Sequence, residues 1–191
     1  ADTIASFIGK GTRRLVERCL SATLDGRIDA PELDRAMALF MPLYTEENGR
    51  HARLYPGVVE GLREFAAEGL RLACVTNKPE AHARALLKLK GLDAYFGDFV
   101  WGGDSLAERK PHALPLQTAC AALGVSAAQS LMVGDSHTDA HAALAAGMDA
   151  ALLSWGYNHG APIHDLPAVL HADDFETLVS FWEKAQSGAR A

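Results

Sequence analysis

Two aspartates, Asp135 and Asp139, stand four residues apart directly after a short apolar segment, residues 130–134. The apolar segment predicts a buried strand, and the Ala-rich stretch 140–146 predicts a helix. Asp135 would then lie at the carboxyl end of the strand, and Asp139 in the first turn of the helix. Ligands bind at that edge of open α/β sheets, and Mg²⁺ prefers carboxylate oxygens. The segment therefore predicts a divalent-cation site at Asp135 and Asp139.

The same carboxylates also have a purely structural interpretation. Ser136 is a good helix N-cap, and Asp139, three residues later, completes the pattern of a capping box and favours the helix dipole. Asp135 would then be a solvated turn residue. This segment alone does not separate the two interpretations.

Thr76 and Asn77 follow a second apolar run, residues 70–75, and precede a stretch with helical periodicity, residues 81–90. A hydroxyl and an amide at a strand end, followed by a helix amino terminus, make a good anion site. Backbone N–H groups point at the ligand there, and the side chains add further donors. The alternative is an ordinary turn before a helix.

Lys110 directly precedes Pro111, where we expect an apolar helix that extends to Leu123. Proline is tolerated in the first helical turn because its missing N–H has no partner there. A lysine at such a position is ordinarily a surface residue, but beside an anion its ammonium group acts as a point charge. Lys110 is thus a candidate for binding the same anion as Thr76.

In this order along the chain, Thr76, Lys110 and the Asp135–Asp139 pair resemble three of the four motifs of the haloacid dehalogenase superfamily of aspartyl-phosphate hydrolases. The resemblance implies that Thr76 and Lys110 hold the transferring phosphoryl group, and Asn77 stays a substrate-binding candidate beside them. It also implies that Asp135 ligates Mg²⁺, and that Asp139 ligates the ion directly or orients a water bound to it.

The local sequence around these motifs is most similar to that of the phosphoglycolate phosphatases of the superfamily. It includes the run Val75-Thr76-Asn77-Lys78 and the segment 155–158 after the last core strand. The resemblance covers nearly the whole chain. It implies a Mg²⁺-dependent phosphomonoester hydrolase that acts on a small phosphorylated metabolite resembling 2-phosphoglycolate.

The first motif of the superfamily, a hydrophobic strand that ends in Asp-x-Asp-Gly-Thr, has no counterpart in this sequence. The resemblance implies that its first Asp is the nucleophile, which forms an aspartyl phosphate that water then hydrolyses. The Asp25-Gly26 pair lacks the preceding Asp and strand, so we interpret it as a turn between helices. We expect the nucleophile to lie upstream of Ala1, on a central strand between those that end at Thr76 and Gly134. The 191 residues alone are then expected to be inactive.

Composition narrows the functional classes. The net charge of −6 argues against a general nucleic-acid role. Three widely spaced cysteines form neither a metal pattern nor a disulfide framework and suit a reducing cytosol. These 191 residues show no signal-peptide pattern and no apolar run of membrane length. We expect a cytoplasmic enzyme, monomeric or homodimeric, whose partner is a small metabolite and not nucleic acid or a membrane.

The pattern of elements predicts two domains. Residues 1–53 read as all-helical and are expected to form a small helical cap, incomplete at its amino terminus, with residues 46–53 as a polar linker. Residues 54–191 alternate strands with helices, which predicts an α/β core with a Rossmann-like parallel sheet. The expected strands are 71–75, 98–101, 130–134, 149–153 and 168–171.

The helical region offers one candidate substrate loop, Gly9-Lys10-Gly11, with Arg14 one turn further on. The glycines would allow close backbone approach, and Lys10 would meet a carboxylate of the substrate. The alternative is a break between helices with solvated basic residues.

His137 and His141 lie on one predicted helical face and suggest zinc, but they lack the Glu of a zincin motif and a third ligand. Three rival functions also stay open. These are a phosphomutase of the same superfamily, a receiver-like binding domain, and a non-catalytic fragment.

Overall fold

The structure is a computed structural model that describes residues 2–158 and 161–189, so the outer limits of both predicted domains lie outside the described residues, as do residues 159 and 160. Its first part is helical, with α1 (Asp2–Ala5), α2 (Thr12–Ser21) and α3 (Ala30–Glu47). Asp29 caps α3 by accepting a hydrogen bond from the Glu32 N–H at 3.3 Å. Helices α2 and α3 pack against each other.

Helices alternate with strands in the rest of the chain. The elements are α4 (Val58–Ala67), β1 (Cys74–Val75), α5 (Glu80–Leu89), α6 (Asp93–Phe96), β2 (Val100–Trp101), α7 (Leu114–Leu123), β3 (Leu131–Gly134), α8 (His137–Ala146), β4 (Asp149–Leu153), β5 (Leu170–Ala172) and α9 (Phe175–Ala189). All strand pairs are parallel. The predicted α/β fold and the five predicted strands are confirmed, although β1 and β2 are shorter than expected.

The strands form two separate sheets, β1-β2 and β3-β4-β5. In the larger sheet, β4 is the middle strand, and its side chains alternate between two apolar layers. Ala151 and Leu153 face a cluster that includes Leu178 of α9, whereas Ala150 packs against Ala142 and Ala143 of α8. Helices therefore cover both faces of this sheet, as is typical of parallel sheets.

Strand β3 has a partner on one side only among the described residues. Leu131 and Val133 of β3 are 36% and 37% exposed, whereas Leu152 of the neighbouring β4 is fully buried. A parallel strand with apolar side chains in solvent and an unpaired backbone edge is unusual. The sequence predicts a further strand between β3 and β1.

Two sequence-based boundaries are wrong. Helix α7 begins at Leu114 and not at Pro111, and in the turn before it the His112 ring accepts a hydrogen bond from the Leu114 N–H at 3.1 Å. Helix α3 runs to Glu47, so the first residues of the predicted linker are helical. No described helix has the length and apolar character that crossing a membrane requires.

Candidate functional site

A cavity of about 410 Å³ lies where β1 and β3 end. Its lining residues come from the helical region and from the loops that follow the strands: Ile8, Gly9, Gly11, Thr12, Leu15, Tyr44, Thr76, Asn77, Lys78, Lys110, Asp135, Ser136, Thr138, Asp139 and Tyr157. The three strand-end positions singled out from the sequence, Thr76, Lys110 and Asp135, thus meet at one cavity. Parallel strands bring this about because their carboxyl ends share one edge of the fold.

Thr76 and Asn77 form the turn that follows β1. The Thr76 N–H continues the pairing with β2 by donating to Trp101 O at 2.9 Å, and Thr76 Oγ1 accepts from the Lys78 N–H at 3.2 Å. The Asn77 side-chain NH₂ donates to Gly9 O at 3.0 Å and to Lys110 O at 2.9 Å. Asn77 therefore ties the Gly9–Gly11 loop and the Lys110 segment to the cavity.

The Lys110 ammonium group is the most constrained cation of the cavity. Lys110 is 8% exposed, and its Nζ donates to Asp139 Oδ1 at 2.7 Å and to Val75 O at 2.6 Å. Desolvating an ammonium group costs free energy unless it is paired and hydrogen-bonded. The two partners therefore hold Lys110 Nζ at the end of β1, beside Thr76.

Asp139 uses both of its oxygens inside the protein. Its Oδ2 accepts from Asp135 N at 3.1 Å, from Ser136 N at 3.2 Å and from Ser136 Oγ at 2.8 Å. Its Oδ1 accepts a hydrogen bond from Lys110 Nζ. Burial alone would raise the pKa of Asp139, but the Lys110 charge and these donors outweigh it and hold the pKa below its usual range. Asp139 is thus an ionised anchor for Lys110 and for the helix start.

Asp135 is the carboxylate that faces the cavity. Its Oδ2 accepts from the Tyr157 N–H at 2.8 Å, and Oδ1 has no donor among the described residues. Burial, together with the nearby Asp139 charge, raises the pKa of Asp135, although the Tyr157 hydrogen bond opposes the shift. Such a half-buried carboxylate with one unused oxygen suits a cation, because Mg²⁺ typically takes one or two carboxylates and completes its shell with water and phosphate.

The histidine alternative has less support in the geometry. The His137 and His141 rings lie 6.0 Å apart between centroids. Over residues 2–158 and 161–189, no group of three or more His, Cys, Asp or Glu side chains is arranged to hold a metal ion. The two histidines therefore have no third protein ligand among the described residues.

Lys10 and Arg14 do not line the cavity. Lys10 is exposed. The Arg14 guanidinium instead donates to Glu17 at 2.5 Å and to the carbonyls of Gly26 and Leu24, both at 2.7 Å. Of the predicted loop, only Gly9 and Gly11 border the cavity, so nothing in the geometry supports a substrate role for Lys10 or Arg14.

Tyr44, Lys78 and Tyr157 are among the lining residues that the sequence did not indicate as site residues. Tyr44 belongs to an amphipathic stripe that resembles an ordinary core face, and Tyr157 contributes a backbone N–H, which no side-chain pattern reveals. Lys78 is part of the run Val75-Thr76-Asn77-Lys78, which was the available signal.

Gly156 makes room for Asp135, and we expect a Gly156→Ala substitution to impair the site. A Cβ at Gly156, whose φ is +139°, would lie 1.8 Å from Asp135 Oδ2. The carboxylate would have to move, and displacing a catalytic group by an ångström costs about 10²-fold in rate. Steady-state kinetics of the full-length variant would measure the effect.

The matched control for this prediction is Gly147→Ala. Gly147 also has a positive φ, +68°, but a Cβ there would meet no atom within 4 Å. The control should lose about 1–2 kcal/mol of stability and keep its activity. Equal activity in the two variants would contradict the role assigned to Asp135.

Comparison with known proteins places this geometry in a family. The model of the haloacid dehalogenase-like hydrolase family matches residues 1–147. The phosphoglycolate phosphatases of Thiobacillus denitrificans and Nitrosospira multiformis are 43% and 46% identical over 165 residues, which are 86% of this chain and 72% of each relative. The crystal structure of a predicted phosphoglycolate phosphatase from Haemophilus somnus superposes with a TM-score of 0.85 at 34% identity, over 94% of this chain and 81% of that one.

The resemblance inferred from the strand-end motifs is thereby confirmed for the greater part of the chain. Relatives above 30% identity and a matched fold together leave no other superfamily to consider. The chain belongs to the haloacid dehalogenase-like hydrolases and is similar to the phosphoglycolate phosphatases among them.

Proposed function

We propose that this protein hydrolyses small phosphomonoesters with Mg²⁺, and that its substrate resembles 2-phosphoglycolate. One observation carries the proposal. The Lys110 ammonium group, locked by Asp139 and Val75 O, lies in the same cavity as Thr76 and the available carboxylate of Asp135. A fixed cation, a hydroxyl and a metal-binding carboxylate are the groups that a phosphoryl oxygen requires. The names of the similar proteins support the choice of substrate.

Each residue has a definite task in this proposal. Lys110 and the Thr76 hydroxyl bind the equatorial oxygens of the phosphoryl group, on which charge is spread during transfer. Asn77 holds the Gly9 and Lys110 segments in place around them. Asp135 ligates Mg²⁺, which when bound would neutralise charge on the phosphoryl oxygens. Asp139 contributes indirectly, because it orients Lys110 and the backbone of the Asp135 turn.

The nucleophile of the proposal is an aspartate on a further strand, outside these 191 residues, that pairs between β1 and β3. A missing strand leaves its neighbours about 9–10 Å apart, and the open edge of β3 with its exposed Leu131 and Val133 is compatible with such a gap. The strand would end at the cavity, as its neighbours do. Neither acidic residue of the cavity serves as the nucleophile in this proposal. Asp139 is paired with Lys110, and Asp135 is assigned to the metal.

The cellular setting of the proposal is the cytoplasm. Cys19, Cys74 and Cys120 are all free thiols, which suits a reducing compartment. Whether the enzyme is a monomer or a homodimer stays a prediction.

Phosphate release from a panel of phosphomonoesters, measured with full-length protein and increasing Mg²⁺, tests the function. We expect release from 2-phosphoglycolate that requires Mg²⁺, and no release by residues 1–191 alone. Transfer of the phosphoryl group to a sugar hydroxyl would favour the phosphomutase instead. Absence of release from every compound at saturating Mg²⁺ would overturn the proposal.

A further inference from the structure

Lys78 is a second cation of the cavity, and its surroundings differ from those of Lys110. The half-buried Lys78 ammonium group reaches α3, where it donates to the Tyr44 hydroxyl and, at 2.9 Å, to Asn48 Oδ1. It also lies 4.4 Å from the centroid of the Tyr44 ring. All of these partners are neutral. Burial lowers the pKa of Lys78.

Two other basic groups of this region are paired with carboxylates. Lys110 is paired with Asp139 at 2.7 Å, and Arg14 with Glu17 at 2.5 Å. Among the described residues, no carboxylate lies within 4 Å of the Lys78 ammonium group. A partly desolvated cation without a counter-charge is costly for a fold, and an anionic ligand removes that cost.

Lys78 is also close to the proposed phosphate position. Its own N–H donates to Thr76 Oγ1 at 3.2 Å, and both residues line the same cavity. Because the two residues share one cavity, an anionic group attached to a phosphate near Thr76 has the Lys78 ammonium group as a candidate partner.

We propose that Lys78 is the specificity-determining residue for this site and binds the carboxylate of a short phosphorylated acid while Thr76 and Lys110 bind its phosphoryl group. This inference rests on the proposed phosphatase function and deepens it. It names the substrate class as phosphomonoesters with a second anion close to phosphorus, and it assigns to Lys78 the role predicted from the sequence for Lys10. Tyr44 and Asn48 act as positioning residues, because they hold the ammonium group against the cavity from the side of α3.

A pair of substrates tests the role of Lys78. The first is 2-phosphoglycolate, and the second is 2-hydroxyethyl phosphate, which has the same skeleton with a neutral alcohol in place of the carboxylate. The kcat/KM ratio of the two compounds is measured for the full-length protein and for its Lys78→Met, Lys78→Arg, Lys10→Met and Lys88→Met variants. Lys88, an exposed lysine of α5 outside the cavity, is the matched control.

We expect the wild-type protein to prefer 2-phosphoglycolate, and Lys78→Met to reduce that preference by about 10- to 100-fold, as is usual for the loss of a charge-assisted hydrogen bond. Lys78→Arg should retain most of the preference, and Lys10→Met and Lys88→Met all of it. A merely structural role for Lys78 would lower both activities together and leave the ratio unchanged.

The possible failures are distinguishable. If the wild-type protein hydrolyses both compounds equally well, or if Lys10→Met and not Lys78→Met changes the ratio, the role of Lys78 is overturned while the phosphatase function stands. If the wild-type protein hydrolyses neither compound nor any other phosphomonoester, both proposals fail.

Discussion

Replacing Lys110 by Met in the full-length protein is expected to lower kcat by about 10²- to 10³-fold, as removal of a single preorganised donor to a developing charge does. The same change is expected to destabilise the fold by about 3–5 kcal/mol, because it leaves the Asp139 carboxylate buried without its counter-charge. Asp139 keeps only 7% of its side-chain surface exposed and holds Lys110 at 2.7 Å. Phosphate release and urea denaturation measure the two effects separately.

A double variant separates catalysis from stability. Lys110→Met with Asp139→Asn removes both charges, and replacing a whole buried ion pair by neutral groups is often close to neutral for stability. We expect it to recover most of the lost free energy of unfolding and none of the lost turnover. Lys88→Met should change stability by less than about 0.5 kcal/mol. Near-normal turnover of Lys110→Met would refute the phosphate-binding role.

Asp135→Asn is expected to abolish Mg²⁺ binding and, with it, at least about 10³-fold of the activity, since a metal ion contributes several kcal/mol of charge stabilisation. The reason lies in the geometry of the carboxylate, whose Oδ1 has no donor within the described part of the chain and whose Oδ2 accepts from the Tyr157 N–H at 2.8 Å. Titration calorimetry with Mg²⁺ measures binding, and phosphate release measures activity. An unchanged Mg²⁺ affinity would remove Asp135 from the metal site.

The stability of this variant should distinguish Asp135 from Asp139. Burial and the Asp139 charge raise the pKa of Asp135, so its ionised form is disfavoured in the fold. In metal-free buffer Asp135→Asn should therefore be at least as stable as the wild type, whereas Asp139→Asn, which unpairs Lys110, should be less stable. Mg²⁺ should raise the Tm of the wild type by mass action and leave that of Asp135→Asn unchanged. A metal-free Asp135→Asn protein that is markedly destabilised would show that this carboxylate is structural.

Much of the site could be predicted from the sequence because parallel strands impose a simple rule. The apolar runs that end in Thr76 and at Gly134 can be recognised in the sequence, and the carboxyl ends of the strands they form share an edge of the fold. These signals involve only residues that are close together in the sequence, which also explains the wrongly predicted helix boundaries. The start of α7 is an example, since Pro111 does not mark it and the contact between the His112 ring and the Leu114 N–H is seen only in the structure.

The sequence by itself determined the α/β class, the five strands, the meeting of Thr76, Lys110 and Asp135, and the family resemblance, since each depends on local pattern and order along the chain. Only the tertiary structure decided which charges are paired. It pairs Asp139 with Lys110, 29 residues away along the chain, and leaves Lys78 with the neutral partners Tyr44 and Asn48 from α3. The physical reason is that the free energy of a charge depends on its burial and on the partners within a few ångströms, which folding alone brings together.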